Sequence, residues 1–160
     1  ESIIHMVHPY YLKEYNNRWF LLAYDEDYNM LTTFALDRIE AIKTENRIYQ
    51  EICEINFNDY FDEVIGITVV PENEPRKLKI WVSSDQFPYV RTKPLHGTQK
   101  VLEEREDGSK IIQIEVRENY ELIQTLLSFG EKVILLEPQD IRMKIQKRIW
   151  LAGENYDKLK

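Results

Sequence analysis

The sequence predicts an α+β protein in which a small β-barrel or meander precedes a region of mixed strands and helices. Two observations support this prediction. Short, closely spaced strand patterns with polar turns fill the first part of the chain, and after a proline-rich break the pattern changes to strand–helix–strand–strand–helix–strand. We therefore expect the break at residues 71–75 (PENEP) to be a linker between residues 1–70 and residues 76–160.

The first predicted element is a β-hairpin with strands at residues 10–15 and 18–25. The Asn-Asn pair at 16–17 joins them, and Asn tolerates the positive φ that a two-residue type I′ turn requires. This loop fixes the register, which pairs Tyr15 with Arg18, Lys13 with Phe20 and Tyr11 with Leu22.

Alternation along the hairpin produces two faces of different character. One, called here the mixed face, interleaves aromatic, aliphatic and cationic side chains: Tyr11, Lys13, Tyr15, Arg18, Phe20, Leu22 and Tyr24. The opposite face is expected to form core and carries His8, Tyr10, Leu12, Glu14, Trp19, Leu21 and Ala23. Cations and aromatic rings together hold the phosphates and bases of single-stranded nucleic acids, so the mixed face indicates such a ligand. Tight packing in a small barrel and a subunit interface are the alternatives.

The remaining elements of the first part are shorter. Strands are predicted near residues 31–36 and 39–43. A short helix at 57–64, with Asn58 or Asp59 near its start, is expected to lead into a strand at 65–70.

The second part has stronger element signals. Asn119 and Gly130 are typical cap residues at the two ends of one helix. The predicted order is a strand at 77–82, a helix at 85–91, strands at 98–105 and 110–117, the capped helix at 120–129, a strand at 132–136 and a last helix from 139 to about 151. This is the ferredoxin-like βαββαβ order with a helix added at the C-terminal end.

The sequence offers little that is typical of an enzyme. No phosphate loop, nucleophile elbow or metal-ligand spacing is present, and the acidic clusters fall at predicted turns. Cys53 lies in an amphipathic segment and is expected to be buried and unreactive. We therefore predict no catalytic residue, no cofactor and no metal.

Charge and hydropathy exclude some partners. The net charge of −7 argues against general binding of duplex DNA or membranes, and the longest apolar stretches are too short to cross a bilayer. The basic residues of the last helix, with no short helix and tight turn before them, do not indicate a recognition helix. A single cysteine suits a reducing compartment, so we expect a cytoplasmic protein.

Two sets of residues carry a family resemblance. His8-Pro9-Tyr10, Leu12-Lys13, residues 17–21 (NRWFL), Ala23-Tyr24, Phe34 and residues 36–39 (LDRI) resemble the WYL domain, whose Trp-Tyr-Leu run appears here as Trp19-Phe20-Leu21. Residues 66–68 (GIT), 93–99 (KPLHGTQ), 119–122 (NYEL), Phe129-Gly130, Pro138 and Ile141-Arg142 resemble the C-terminal extension of WYL proteins.

The resemblance implies the ligand-sensing and oligomerisation region of a bacterial transcriptional regulator. It implies an Sm-like WYL barrel at 1–70, whose N-terminal part is missing, and a ferredoxin-like extension at 76–160. Duplex DNA would be bound only through an N-terminal helix-turn-helix domain, and the regulator would be a homodimer. Family ligands resemble nucleotides or single-stranded nucleic acid. Thr32 and Ala35 stand where many members have Arg, which removes two cations from the expected ligand track.

The residues expected to bind or support the ligand are Tyr10, Lys13, Arg18, Trp19, Tyr24 and Arg38. The two arginines would contact anionic groups, Tyr24 would stack or donate a hydrogen bond, and Tyr10 and Trp19 would support the site from the core. An ion pair with Asp37 or another acid is the alternative for Arg38. In the extension, the candidates are Lys93, His96, Gln99 and Arg142, which either contact a ligand or partner or form a hydrogen-bonded loop. The alternative for the whole chain is a protein–protein interaction or dimerisation module without a small ligand.

Overall fold

The computed structural model describes residues 3–51, 55–57 and 59–159. The chain is an α+β protein whose described residues form two antiparallel sheets and three α-helices. It divides into two compact units after Phe61. Cys53 lies outside the described residues, so its expected burial remains a prediction.

The first unit is built on a three-stranded antiparallel sheet. The strands are β1 (Val7–Tyr15), β2 (Arg18–Asp25) and β3 (Met30–Ala35), in the order β1-β2-β3. Asn16 and Asn17 have φ of 50° and 59°, which confirms the predicted turn. All three predicted pairs of the hairpin register are also confirmed.

A β-bulge changes the register at the start of the hairpin. It lies between Pro9 and Tyr11, and proline is tolerated there because it has no N–H to donate to the ladder. Beyond the bulge, His8 pairs with Tyr24. His8 therefore belongs to the mixed face, and its predicted place on the opposite face is wrong.

Three predicted elements of the first 70 residues are not formed. A short 3₁₀-helix (Leu36–Arg38) follows β3, and residues 39–43 have no regular structure, so the predicted fourth strand is wrong. The described part of 57–64 consists of turns and bends rather than a helix, and 65–70 is not a strand. A strand forms only where a neighbouring strand can accept and donate its backbone hydrogen bonds. A helix of about eight residues is not stable without tertiary packing. Sequence periodicity shows neither the neighbouring strand nor the packing. The described strands consequently form an open sheet and not a closed barrel.

The second unit contains a four-stranded antiparallel sheet with the predicted order of elements. These are β4 (Arg76–Val82), α1 (Phe87–Thr92), β5 (Lys100–Glu104), β6 (Lys110–Val116), α2 (Tyr120–Ser128), β7 (Val133–Glu137) and α3 (Gln139–Lys158), with strand order β5-β6-β4-β7. The last helix is longer than predicted and continues to Lys158.

The core of the second unit follows the period-2 pattern of its strands. Leu78, Ile80 and Val82 of β4 are completely buried and alternate with partly exposed residues. Side chains of α2 and Ile141 of α3 pack onto them. The predicted cap is confirmed, because Asn119 Oδ1 accepts from Leu122 N at 2.8 Å.

Residues 71–75 belong to the second unit, and Asn73 is hydrogen-bonded to the residues just after β6. Arg117 Nη1 donates to the carbonyl oxygen of Asn73 at 2.6 Å, and Asn73 Nδ2 donates to the carbonyl oxygen of Glu118 at 2.8 Å. The compact units divide upstream of this segment, after Phe61.

Candidate functional site

A shallow depression lies beside the β1–β2 turn. It is lined by Asn17, Arg18, Trp19, Leu36 and Asp37 and is called here the turn depression. Pairing of Phe20 with Ala35 holds the end of β3 beside the start of β2. The 3₁₀-helix that follows β3 is thereby placed next to the hairpin turn.

Arg18 is the cation of the turn depression. Its Nη2 donates to both carboxylate oxygens of Asp37, at 2.7 and 2.9 Å, and its guanidinium carbon lies 5.6 Å from the Phe20 ring centroid. The hydrogen bond from Arg18 is the main cause that lowers the pKa of Asp37, and the nearby charge of Arg38 adds a smaller contribution. The Arg18 side chain is 43% exposed, so the pair is accessible to solvent.

Trp19 is exposed instead of supporting the site from a core. It is 49% exposed, and Leu12 on the same face of the hairpin is 52% exposed. The expectation that this face forms core is therefore wrong for both residues. In an open sheet only one face needs to be covered, and here the chain covers much of the mixed face.

Aromatic residues from the end of the first unit cover part of the mixed face. The Tyr11 and Phe57 rings stack with centroids 5.5 Å apart and an interplanar angle of 14°. Lys13 Nζ lies 4.4 Å from the centroid of the buried Phe61 ring. Intramolecular packing, one of the alternatives open at the level of sequence, thus accounts for Lys13 and Tyr11.

Tyr10 belongs to the same aromatic cluster. Its hydroxyl donates to the carbonyl oxygen of Gln50 at 2.8 Å, and its ring lies 5.9 Å from Tyr49 and 6.0 Å from Phe57. Burial, followed by the neighbouring tyrosines, raises the pKa of Tyr10 and keeps its hydroxyl a donor.

The six candidate residues of the first unit do not form one cluster. Arg18 and Trp19 line the turn depression, and Arg38 adjoins it through Asp37. The Tyr24 hydroxyl donates a hydrogen bond to Asn29 Oδ1, and the Tyr24 ring centroid lies 6.2 Å from that of His8. Asn17, Leu36 and Asp37 also line the depression and were not expected there from sequence; the signal available was the motif at 36–39.

A second polar group, which spacing alone does not reveal, lies at the β2–β3 turn. His5 Nδ1 is 2.8 Å from an oxygen of the fully buried Asp25, and ligand atoms of these two residues and Asp27 lie within 4.8 Å of one another. This spacing would allow a metal ion. The other oxygen of Asp25 accepts from the backbone N–H groups of Asp27 and Tyr28, at 3.0 and 3.4 Å, so turn hydrogen bonds already account for the group.

The candidates of the second unit mostly organise a loop. Gln99 Oε1 accepts from Leu95 N at 2.9 Å, and its Nε2 donates to the carbonyl oxygen of Val90 at 3.0 Å. His96 Nδ1 accepts from Thr98 N at 3.3 Å, and burial lowers the pKa of His96, which favours this neutral acceptor form. These bonds fix the connection from α1 to β5.

Lys93 and Arg142 take part in the backbone hydrogen bonding of helices. Lys93 N donates to the carbonyl oxygen of Tyr89 at the end of α1, while its side chain is exposed. Arg142 is half-buried in the first turns of α3, where its N–H donates to the carbonyl oxygen of Pro138.

Two protein-family models match the sequence, one in each part of the chain. The sequence matches the family model of the WYL domain over residues 2–44 and that of the WCX domain over residues 74–149. The chain contains a WYL domain followed by a WCX domain. The turn depression lies in the WYL domain, and the loop at 93–99 lies in the WCX domain.

Comparison with complete proteins and solved structures shows weaker similarity. The chain is similar to the solved structure of proteasome accessory factor B/C (PafBC) of Arthrobacter aurescens, with 19% identity, a TM-score of 0.43 and coverage of 94% of this chain. It spans 22% of the length of that protein. No curated protein matches the sequence significantly. Within the described residues, no helix is both long enough and apolar enough to cross a membrane.

Proposed function

We propose that this chain is the ligand-sensing and oligomerisation region of a bacterial transcriptional regulator. A nucleotide or a single-stranded nucleic acid would bind at the turn depression and control duplex DNA binding by a separate N-terminal domain. The WYL and WCX matches support the class of protein. The observation that carries the ligand assignment is the accessible Arg18 beside the half-exposed ring of Trp19.

The geometry of the turn depression suits an anionic, aromatic ligand. An exposed ion pair such as Arg18–Asp37 contributes little to stability, so a phosphate can replace the Asp37 carboxylate at small cost. The planar guanidinium then binds phosphate oxygens, and the exposed indole of Trp19 offers a stacking surface for a base. Arg38 would supply a second positive charge, and Tyr10, Lys13 and Tyr24 would support the sheet that carries the site.

The test is a titration with defined probes. A short fluorescein-labelled oligothymidylate, the matching RNA and cyclic nucleotides are titrated into the purified chain by fluorescence anisotropy and calorimetry. We expect Arg18→Ala to weaken binding roughly ten- to a hundredfold, since hydrogen bonds to charged groups contribute about 1.5–3 kcal/mol. Trp19→Ala should weaken it by roughly fivefold or more, because base stacking contributes about 1–3 kcal/mol. Affinity should also fall with rising salt.

The matched control is Arg105→Ala. Arg105 is a similarly exposed arginine that also pairs with a carboxylate, that of Glu103, but in the second unit. Its removal should leave the titration unchanged. Absence of binding by all probes, or equal effects of the Arg18 and Arg105 changes, would show that the turn depression is not the ligand site.

A protein–protein interaction module is the second candidate. The observation that favours it is the open hairpin face, on which Leu12 and Trp19 are both about half exposed. For such a module, Leu12→Lys would abolish self-association or partner binding while no nucleotide probe bound the parent chain.

The wider assignment follows from the same proposal. Residues 1–70 would be part of an Sm-like WYL barrel, and 76–160 would be a ferredoxin-like extension, an interpretation supported by the strand order β5-β6-β4-β7. The protein would be a cytoplasmic homodimer without catalytic activity or cofactor. His96 and Gln99 would stabilise the extension, and Lys93 and Arg142 would be its contacts to a ligand or partner.

A further inference from the structure

The two halves of α3 differ in how they are packed. In the first half, Ile141 is completely buried and Ile145 packs against the core of the second unit. In the second half, apolar side chains face solvent: Ile149 is 50% exposed and Tyr156 is 79% exposed. The WCX match ends at residue 149, so it does not cover most of this exposed half.

Part of the exposed apolar surface forms one stripe along the helix, whereas Trp150 and Leu151, which are also exposed, lie off this stripe. Spacings of four and three residues alternate along the series Ile145, Ile149, Ala152, Tyr156 and Leu159. This is the a/d spacing of a two-helix coiled coil, and it continues the face that carries Ile145 into the core. An unsupported helix of about ten residues is only marginally stable in water, so the exposed half calls for a covering surface.

The stripe is complementary to itself in one orientation. In an antiparallel pair, a positions face d positions of the partner, which sets Ile149 of one helix against Ala152 of the other and Ile145 against Tyr156. The isoleucine side chains thus pack against the small Ala152 and the planar ring of Tyr156, and the two-fold axis passes near residues 150 and 151. A C₂ axis of this kind makes the two contact surfaces identical.

The charge distribution along α3 favours the same orientation. The half from Gln139 to Arg148 contains four basic residues and one acidic residue, whereas the half from Ile149 to Lys158 contains two acidic residues and one basic residue. Antiparallel pairing brings the basic half of each helix beside the acidic half of the other. It also opposes the two helix dipoles, which is the favourable arrangement.

We propose that a second copy of this chain covers the exposed half of α3 by antiparallel helix pairing. The proposed function includes a homodimer, and this interface states where its two chains meet. In that one respect the interface rests on the proposed function. A single helix pair is smaller than a standard interface of about 800 Å² per partner, so we expect a weak and reversible dimer.

Sedimentation equilibrium of the purified chain tests the interface. The parent should show a monomer–dimer equilibrium, and Ile149→Lys should weaken it at least tenfold. Met143→Lys is the matched control, because Met143 is a similarly exposed apolar residue of α3 that lies off the stripe. Both changes are at exposed positions, and circular dichroism should report an intact fold. A parent that is monomeric at all concentrations, or equal dimerisation of all three proteins, would overturn the proposal.

Disulfide cross-linking tests the orientation. In a Cys53→Ser background, single-cysteine chains carrying Ile149→Cys and Ala152→Cys are mixed and oxidised. Antiparallel pairing predicts that the mixed 149–152 product exceeds the sum of the two homodimeric products, which is the share that random pairing of equimolar chains would give, and a mixed product at or below that sum would exclude this register. Nucleotide titration of Ile149→Lys separates the two proposals. If the monomeric variant still binds nucleotide, the ligand site does not depend on the α3 interface. If the parent dimerises but binds no nucleotide, the ligand site is wrong and the α3 interface is unaffected.

Discussion

The interior of each unit is stabilised by a different kind of contact. In the second unit, β4 alternates completely buried aliphatic residues with partly exposed ones, and three helices accompany a four-stranded sheet. In the first unit, few residues are buried completely, and the sheet is covered by stacked aromatic rings and side-chain hydrogen bonds to irregular segments. Regular aliphatic packing makes a scaffold, whereas exposed aromatic and cationic groups leave a surface that a ligand can use.

The largest expected effect tests the aliphatic core. Ile80→Ala removes a completely buried side chain from the middle of β4 and should lower the free energy of unfolding by about 2–5 kcal/mol. Leu12→Ala, at a half-exposed position of the first unit, should change it by no more than about 0.5 kcal/mol. Urea denaturation measures both. Comparable losses would contradict the contrast between the two units.

The next effect concerns the connection that ties residues 65–68 to α2. Asn119 caps α2, and its Nδ2 also donates to the carbonyl oxygens of Ile65 and Thr68, at 2.9 and 2.8 Å. Asn119→Ala should cost about 1–3 kcal/mol, because the cap is lost and buried acceptors are left unpaired. Asn119→Ser keeps a cap acceptor without the amide donor and should fall between the parent and the Ala variant in urea denaturation. A Ser variant as unstable as the Ala variant would mean that the cap contributes nothing.

The smallest effect is an exposed ion pair at the start of α3. Hydrogen bonds from Arg76 lower the pKa of Asp140 to about 2, below its unfolded value of about 3.9. A depressed carboxyl pKa stabilises the fold above the unfolded pKa, and this contribution is lost as the pH falls through about 2. Asp140→Asn should therefore lower stability slightly at pH 6, and this effect should shrink below about pH 4 and disappear once the pH is below the folded pKa of about 2. Arg76→Gln should behave in the same way, and a difference between the two variants that persists at low pH would contradict this pairing.

The hairpin and the second unit were predictable from sequence because their signals are local. Asn16 and Asn17 fix a turn and a register without help from distant residues, and Asn119 marks the start of α2. The failures occur where the outcome depended on a partner. The strand expected at 39–43 has no regular structure, and the bulge at Pro9 moves His8 to the other face.

The candidate site was only partly predictable for the same reason. Sequence identified Arg18 and Trp19, and the motif at 36–39 contained Asp37, but nothing local showed that the end of β3 returns beside the hairpin turn. Lys13 was assigned to the same track because it shares a face with Arg18. The Phe61 ring, distant in sequence, accounts for it instead.

The α+β class, the hairpin register and the order of elements in the second unit follow from sequence alone, because turn, cap and period-2 signals act between neighbouring residues. Three-dimensional contacts were needed to show which hairpin face is covered, which carboxylate pairs with Arg18, and that the end of α3 extends beyond its core with exposed apolar side chains. These features depend on contacts between residues far apart in the chain. Their formation is set by competition for burial among all segments, which no local pattern encodes.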